Sequence, residues 1–86
     1  MREVVLENCV SESLDAAAAE FPRIHDAMRG LEWRIGHKPH DAVARGEFFV
    51  YRQQGFPSLN IPDMVVLYRF EGEVVNIVAI HIERAQ

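Results

Sequence analysis

The stretch Asp63-Met-Val-Val-Leu-Tyr-Arg-Phe-Glu-Gly-Glu-Val-Val-Asn-Ile-Val-Ala-Ile-His-Ile82 decides the fold. It contains two runs rich in β-branched and aromatic residues, which favour strands. A short Glu-Gly-Glu segment at 71–73 separates the runs, and glycine allows a tight turn there. Residues 63–82 therefore predict a β-hairpin that closes one small α+β domain.

The hairpin also predicts a sheet with two apolar faces. With Glu71-Gly72 as the turn, the cross-strand pairs are Phe70 with Glu73, Tyr68 with Val75, Val66 with Ile77, and Met64 with Ala79. The opposite face then carries Val65, Leu67, Arg69, Val74, Asn76, Val78 and Ile80. Because one helical layer covers only one face of a sheet, we expect a partner chain or self-association to cover the other.

A stripe of apolar residues predicts two packed helices ahead of the sheet. Its members recur at alternating spacings of three and four: Leu14, Ala17, Phe21, Ile24, Met28, Leu31 and Ile35. Pro22 interrupts the stripe and fits the first turn of a second helix. The helices are expected at 12–20 and 22–36, with Ser11 or Ser13 as the first N-cap and Gly36 ending the second helix.

The remaining segments predict further strands and connectors. Glu3–Asn8 contains a short β-prone run, and Glu47–Arg52 is dominated by aromatic and β-branched residues. Residues 40–46 are interpreted as a connector, and residues 53–62 as a loop rich in glycine and proline. The expected fold is therefore a short N-terminal strand, two packed helices, and an antiparallel sheet of about three further strands.

Length and composition place the chain among small globular proteins. Its 86 residues suit a single domain, 1–86, and 49% of them are hydrophobic and 26% charged. No apolar run reaches the ~18–20 residues that a membrane-spanning helix needs, and the first residues do not resemble a signal peptide. Cys9 is the single cysteine and fits a reducing compartment. We expect a cytoplasmic protein without a membrane partner.

The net charge of −4 is unevenly distributed along the chain. Residues 1–22 and 53–86 carry −4 and −2, whereas residues 23–52 carry +2 and three of the four histidines. An acidic total disfavours generic binding to nucleic acid, because that affinity comes from clustered lysine and arginine. The middle third is the one region suited to a polyanion, and a solvated surface of mixed charge is the alternative interpretation.

Familiar catalytic and metal-binding motifs are missing from the sequence. It contains no glycine-rich phosphate loop, CxxC, HExxH or GxSxG motif. His37 and His40 flank Lys38-Pro39, but two imidazoles without a third ligand are weak evidence for a metal. Nothing in the spacing pairs Cys9 with a histidine. No cofactor and no metal are expected.

A set of polar and cationic residues on or beside the predicted sheet could support RNA cleavage. The set comprises Arg45, Tyr51, Arg52, Tyr68, Arg69, His81 and Arg84. Cleavage without a metal needs a base for the 2′-hydroxyl, cations for the phosphate and an acid for the leaving oxygen, and these residue types supply those groups. Each residue also has a structural alternative: Tyr68 as core, the arginines as exposed cations.

Two segments resemble the RelE/ParE superfamily of toxins from bacterial toxin–antitoxin pairs. Residues 29–39 are similar to the family's second helix and the connector that follows it, and residues 57–82 are similar to its terminal strands. The resemblance implies helices packed on an antiparallel sheet and an antitoxin that wraps the toxin. It also implies either cleavage of mRNA on the ribosome, in RelE-like members, or inhibition of DNA gyrase, in ParE-like members.

The resemblance leads to a functional hypothesis with an alternative. We expect a toxin-like component that acts on translation as a metal-independent mRNA endoribonuclease, or a divergent, weakened form of one, with Arg45, Arg52, His81 and Arg84 as catalytic residues. Val65 stands where RelE-like nucleases place an arginine, three residues before the matching Tyr68. The alternatives are a non-catalytic protein-binding module of the same fold and a ParE-like inhibitor of DNA gyrase. Expected partners are an antitoxin on the apolar sheet face, the ribosome with its mRNA, or a second copy in a homodimer.

Overall fold

The computed structural model describes residues 2–84 and has two helices packed on one face of a five-stranded mixed sheet. The strands are β1 (Glu3–Leu6), β2 (Val43–Arg45), β3 (Phe48–Gln53), β4 (Asp63–Glu71) and β5 (Val74–Glu83), and the helices are α1 (Asn8–Ala17) and α2 (Ile24–His37). A short 3₁₀ turn at Pro57–Leu59 lies within the loop before β4. The spatial order is β1-β5-β4-β3-β2. The α+β class and the hairpin at 63–82 are thus confirmed.

The sheet has one more strand than expected and is not wholly antiparallel. β2 lies in the segment interpreted as a connector, 40–46, and pairs with β3 across a turn at Gly46 and Glu47. Gly46 has φ +64°, a conformation that glycine adopts without steric cost. β1 pairs with β5 in parallel. The fold therefore has four strands after β1 instead of about three.

The predicted register of the hairpin is wrong by two residues. Glu71 pairs with Val74, so the turn consists of Gly72 and Glu73 rather than Glu71-Gly72. Gly72 has φ +62° and supplies the left-handed conformation at the first turn position. Glu71 can therefore stay in the ladder, and Phe70 pairs with Val75.

A β-bulge then moves the end of β5 to the other face of the sheet. Tyr68 pairs with Ile77 but Leu67 pairs with Ala79, so Val78 is the extra residue in β5. Beyond the bulge, Ile80 lies opposite Val66 and packs against the core. The prediction that put Ile80 on the far face, and Ala79 on the core face opposite Met64, is wrong for this reason.

The helices begin and end at different residues from those predicted. α1 starts at Asn8 directly after β1, with Glu7 in an extended conformation as its N-cap. Ser11 and Ser13 lie inside α1 rather than capping it, and the Ser13 hydroxyl donates to the Cys9 carbonyl (2.9 Å).

Pro22 lies in the turn ahead of α2 rather than in its first turn, because α2 begins at Ile24. Gly36 is helical and buried, and α2 ends at His37, followed by Lys38 with φ −131°. Gly36 therefore does not end the helix. Its carbonyl instead accepts from the Arg2 backbone N–H (3.0 Å), which joins the end of α2 to the start of β1.

One hydrophobic core lies between the helices and the sheet. Its buried members are Val10, Leu14, Ala17, Phe21, Ile24, Met28, Leu31, Ile35, Met64, Val66, Tyr68, Val75 and Ile77. All seven residues of the predicted apolar stripe are in this set. The stripe is thus confirmed as intramolecular core.

The other face of the sheet has no covering element among residues 2–84. Register places on it the side chains of Val43, Phe48, Val50, Val65, Leu67 and Ala79. Val50, Val65, Leu67 and Ala79 line a shallow apolar depression at its centre. We call this surface the open face.

Neither α1 nor α2 has the length and apolarity that a bilayer crossing requires.

Candidate functional site

Two of the four candidate catalytic residues share a row across the open face. Val65 of β4 pairs with Arg52 of β3 on one side and with His81 of β5 on the other. Adjacent strands are ~4.8 Å apart, so the backbones of Arg52 and His81 are separated by about 10 Å. The small apolar side chain of Val65 lies between them. The Arg52 and His81 side chains could both reach a phosphate placed over Val65, provided that both were free to contact it.

The Arg52 guanidinium is already engaged by two carboxylates. Its Nη1 and Nη2 donate to Oε1 and Oε2 of Glu83 (2.9 and 2.5 Å), and Nη2 also donates to Oδ2 of Asp63 (2.9 Å). A bidentate arginine–carboxylate pair is among the stronger charge-assisted contacts. The three groups together carry a net charge of −1, which opposes the approach of an anion.

The pKa values of this cluster shift in the directions that ion pairing dictates. The hydrogen bond from Arg52 holds the pKa of Glu83 below its ordinary value. The backbone N–H of Gly55 donates to Oδ1 of Asp63 (2.6 Å) and, with Arg52, lowers the pKa of Asp63. Both contacts raise the pKa of the Arg52 guanidinium. All three groups are therefore charged at neutral pH.

Gly55 is required by the close approach of the chain to this cluster. A Cβ at this position would lie 2.2 Å from the Ile61 carbonyl oxygen and 2.5 Å from the Pro62 carbonyl carbon. The glycine lets the 53–62 loop fold against the start of β4 and aim its N–H at Asp63. The loop thereby fixes the carboxylate that engages Arg52.

His81 is the one member of the row with an exposed, uncommitted side chain among the described residues. Its imidazole lies near enough to Glu83 for a positive charge on it to lower the pKa of that carboxyl. Histidine can transfer a proton near neutral pH. His81 is thus a proton-transfer candidate on the open face, beside an arginine whose charge is neutralised.

Arg45 and Arg84 lie elsewhere. Arg45 pairs with Phe48 at the far end of the open face, where the Arg69 guanidinium lies over the Phe48 ring (5.9 Å to its centroid). Arg69 is four residues, or about 13 Å, along β4 from Val65. Arg84 lies on the helical side, where its Nε donates to Oε1 of Glu20 (2.7 Å) and its guanidinium stacks over Phe21 (5.8 Å). The four residues do not converge on one point.

Tyr68 is part of the core. Its side chain is fully buried, stacks against Phe49 (5.7 Å between centroids) and donates to the Pro39 carbonyl (2.6 Å). Burial, together with the charges of Asp41 and Tyr51, raises the pKa of Tyr68 to about 12. Such a phenol holds its proton too tightly to act as an acid near neutral pH.

The histidines and the cysteine do not form a metal site in the region from Arg2 to Arg84. The Nδ1–H of His37 donates to the Trp33 carbonyl (2.8 Å), whereas His40 stacks on Phe70 (4.9 Å). Cys9 is exposed at the start of α1, with its Sγ 3.5 Å from the Val78 carbonyl oxygen.

Sequence reasoning missed the pairing of Arg52 with Asp63 and Glu83, because those three residues come from strands whose register the sequence did not supply. It also missed an exposed cluster at the end of α2, in which the Trp33 indole lies against the His37 imidazole (4.1 Å between centroids). The spacing of four between these residues on a predicted helix was the available signal.

Searches against protein-family models, curated proteins and solved structures find no match to this chain. The likeness to RelE/ParE toxins therefore depends on the residues named above.

Proposed function

We propose that this chain is a toxin-like component of a toxin–antitoxin pair, in a divergent form that binds a partner protein through the open face and has a weakened or absent RNA-cleaving site. The open face is the observation that carries the proposal. Contiguous exposed apolar surfaces mark interaction sites in soluble proteins. The two helices on the opposite side of a sheet are also what the RelE/ParE resemblance implies.

The state of Arg52 supports the divergent form. A phosphate-binding arginine must offer its donors to the ligand, but here Glu83 and Asp63 occupy them. Arg84 is similarly paired with Glu20. The groups expected to contact phosphate are thus neutralised by carboxylates of the same chain, in agreement with a net charge of −4.

A second candidate function is weak endoribonuclease activity with His81 as the proton-transfer group. The alignment of Arg52, Val65 and His81 in one row favours it. RNA binding would then have to break the contacts of Arg52 with Glu83 and Asp63 before the guanidinium could neutralise the phosphate. Because the free energy needed to break these charge-assisted contacts adds to the barrier, a slow reaction is predicted.

Induced expression with mapping of cellular transcripts distinguishes these functions. For the binding form we expect intact transcripts in cells that express the unmodified chain. Transcript cleavage that disappears in His81→Ala and persists in Arg84→Ala would overturn the form without a cleaving site and favour the weak nuclease. Arg84→Ala is a suitable comparison because Arg84 lies on the other side of the sheet, paired with Glu20.

A further inference from the structure

The exposed end of α2 carries an aromatic and cationic surface that the sheet-face function does not use. Trp33 is 60% exposed, the largest such side chain on the helical layer, and lines a depression of about 340 Å³ with Arg34, His37 and Lys38. We call this surface the indole patch. Ligand pockets commonly start at ~300 Å³, so the depression can hold one nucleotide-sized group.

The aromatic part of the patch is held in a fixed geometry. The His37 ring packs against the Trp33 indole with an interplanar angle of 31°, and its Nδ1–H donates to the Trp33 carbonyl. The other ring nitrogen, Nε2, remains available to a ligand. An exposed indole braced in this way is a platform on which a nucleobase can stack, a contact that tolerates any base.

The charged part of the patch favours an anion beside the indole. Lys38 is exposed and has no ion-pair partner among residues 2–84, and Arg34 is paired with Asp41 at 3.3 Å, beyond optimal contact. The surface continues past His37 to Arg2, whose Nε is buried and lies 4.0 Å from Oε2 of Glu73.

Apart from Arg2, the residues of this surface lie within residues 23–52, the one third of the chain with a positive net charge. A stacking surface next to the cation of Lys38, with Arg34 and Arg2 beyond it in looser ion pairs, matches the two components of single-stranded nucleic-acid recognition, the base and its phosphate. We infer that the indole patch binds a single-stranded nucleic-acid segment, with a base on Trp33 and a phosphate at Lys38 and His37.

This surface is remote from the candidate site on the sheet. The hydrogen bond between Arg2 and Gly36 lies near Val74, at the start of β5, whereas His81 lies near the end of that strand. The β4 partners of Val74 and His81 are six residues apart, so the separation is about 20 Å. The inference therefore does not depend on the open face binding a protein or on His81 being catalytic.

Trp33 is the only tryptophan of the chain, so its fluorescence reports on the patch directly. We would titrate the full chain with a single-stranded oligouridylate of roughly ten nucleotides, within the ~4–16 nucleotides typical of such sites. Saturable quenching is expected, with weaker binding at higher salt. A titration with an oligothymidylate of the same length then shows whether the patch binds RNA or DNA more tightly.

Single substitutions test whether the oligonucleotide binds at the indole patch. Lys38→Ala should weaken affinity about two- to fivefold and reduce the slope of log affinity against log salt by about 0.7. Asp41→Asn should strengthen affinity, because it releases Arg34. Trp33→Ala, followed by the anisotropy of labelled RNA, should weaken affinity about fivefold or more. Arg23→Ala is the control, since Arg23 is an exposed cation at the other end of α2.

Several results would overturn the inference. One is the absence of saturable quenching by either oligonucleotide. Another is an equal loss of affinity in Arg23→Ala and Lys38→Ala, which would indicate a diffuse charge effect. Binding of duplex RNA as tight as that of single strands would also overturn it, because paired bases cannot stack on the indole.

Discussion

Gly55 occupies a position where any side chain would clash with nearby backbone atoms. Gly55→Ala places a methyl group 2.2 Å from the Ile61 backbone oxygen, so the loop must move. We expect a loss of about 1–3 kcal/mol in the free energy of unfolding, measured by urea denaturation. Gly30→Ala is the matched control, because a Cβ there meets nothing within 4 Å and α2 should gain about 0.5–1 kcal/mol. Equal effects of the two substitutions would contradict this account of Gly55.

The carboxylates around Arg52 make the stability of the fold depend on pH in the acidic range. Asp63 and Glu83 have pKa values below their ordinary 3.8 and 4.5 in the folded chain. Their contribution is complete above those ordinary values and is lost as the pH falls through the lower folded-state values.

Thermal unfolding at a series of pH values from about 6 to 2 should therefore show a decline that begins near the ordinary carboxyl pKa range. In Asp63→Asn the decline should be shallower, because one of the two shifted groups is gone. Asp26→Asn is the comparison, since the Asp26 carboxylate makes an exposed pair with Arg29 on α2 and its loss should leave the decline unchanged. A decline of the same steepness in unmodified chain and Asp63→Asn would rule out the cluster as its source.

At the scale of elements, the bulge in β5 decides which side chains reach the core. Ile80→Ala should lower the free energy of unfolding by about 1–3 kcal/mol, because Ile80 packs against the helical side. His81→Ala should change it by less than about 0.5 kcal/mol, because the imidazole is exposed. If Ile80→Ala were as stable as His81→Ala, Ile80 would lie on the open face, as a hairpin without the bulge would place it.

The bulge also explains why the sequence pattern assigned only part of the hairpin to the correct sheet faces. Alternation of residue types correctly grouped Met64, Val66 and Tyr68 on the core face, because a strand places every second side chain on one side. The run from Val74 to Ile82 is apolar at nearly every position, so no alternation marks the point where Val78 is inserted. Turn position was equally undetermined, since Gly72 fits either of two adjacent turn positions.

The helices were also predicted correctly only in part: the sequence pattern found their buried face but not their ends. The three-and-four spacing found the buried stripe, because burial on one helix face is what produces that spacing. The ends were missed because backbone contacts set them: Glu7 begins α1 where β1 stops, and Ser13 bonds back to Cys9. β2 was missed because three residues with exposed side chains, Val43–Arg45, give no burial signal.

At the scale of the whole molecule, the sheet separates two surfaces of different character. The helical side carries the indole patch at one end, and the open face carries an apolar centre with the Arg52 cluster at its edge. The candidate residues named from the sequence divide between these sides because charge and residue type do not encode which face a position occupies. Arg52 and Glu83 are far apart in sequence and contact only after β3, β4 and β5 are in register.

The most direct test of the central claim is the binding of a partner at the open face. The chain would be co-expressed with the product of the neighbouring reading frame, and the mass of the purified complex measured by light scattering. Leu67→Lys puts a charge at the centre of the open face, and Ala16→Lys puts the same charge on the exposed surface of α1. Burial of an unpaired charge in an interface opposes binding. We predict that Leu67→Lys loses the complex while remaining folded and that Ala16→Lys retains it; a complex that survives Leu67→Lys would contradict the claim.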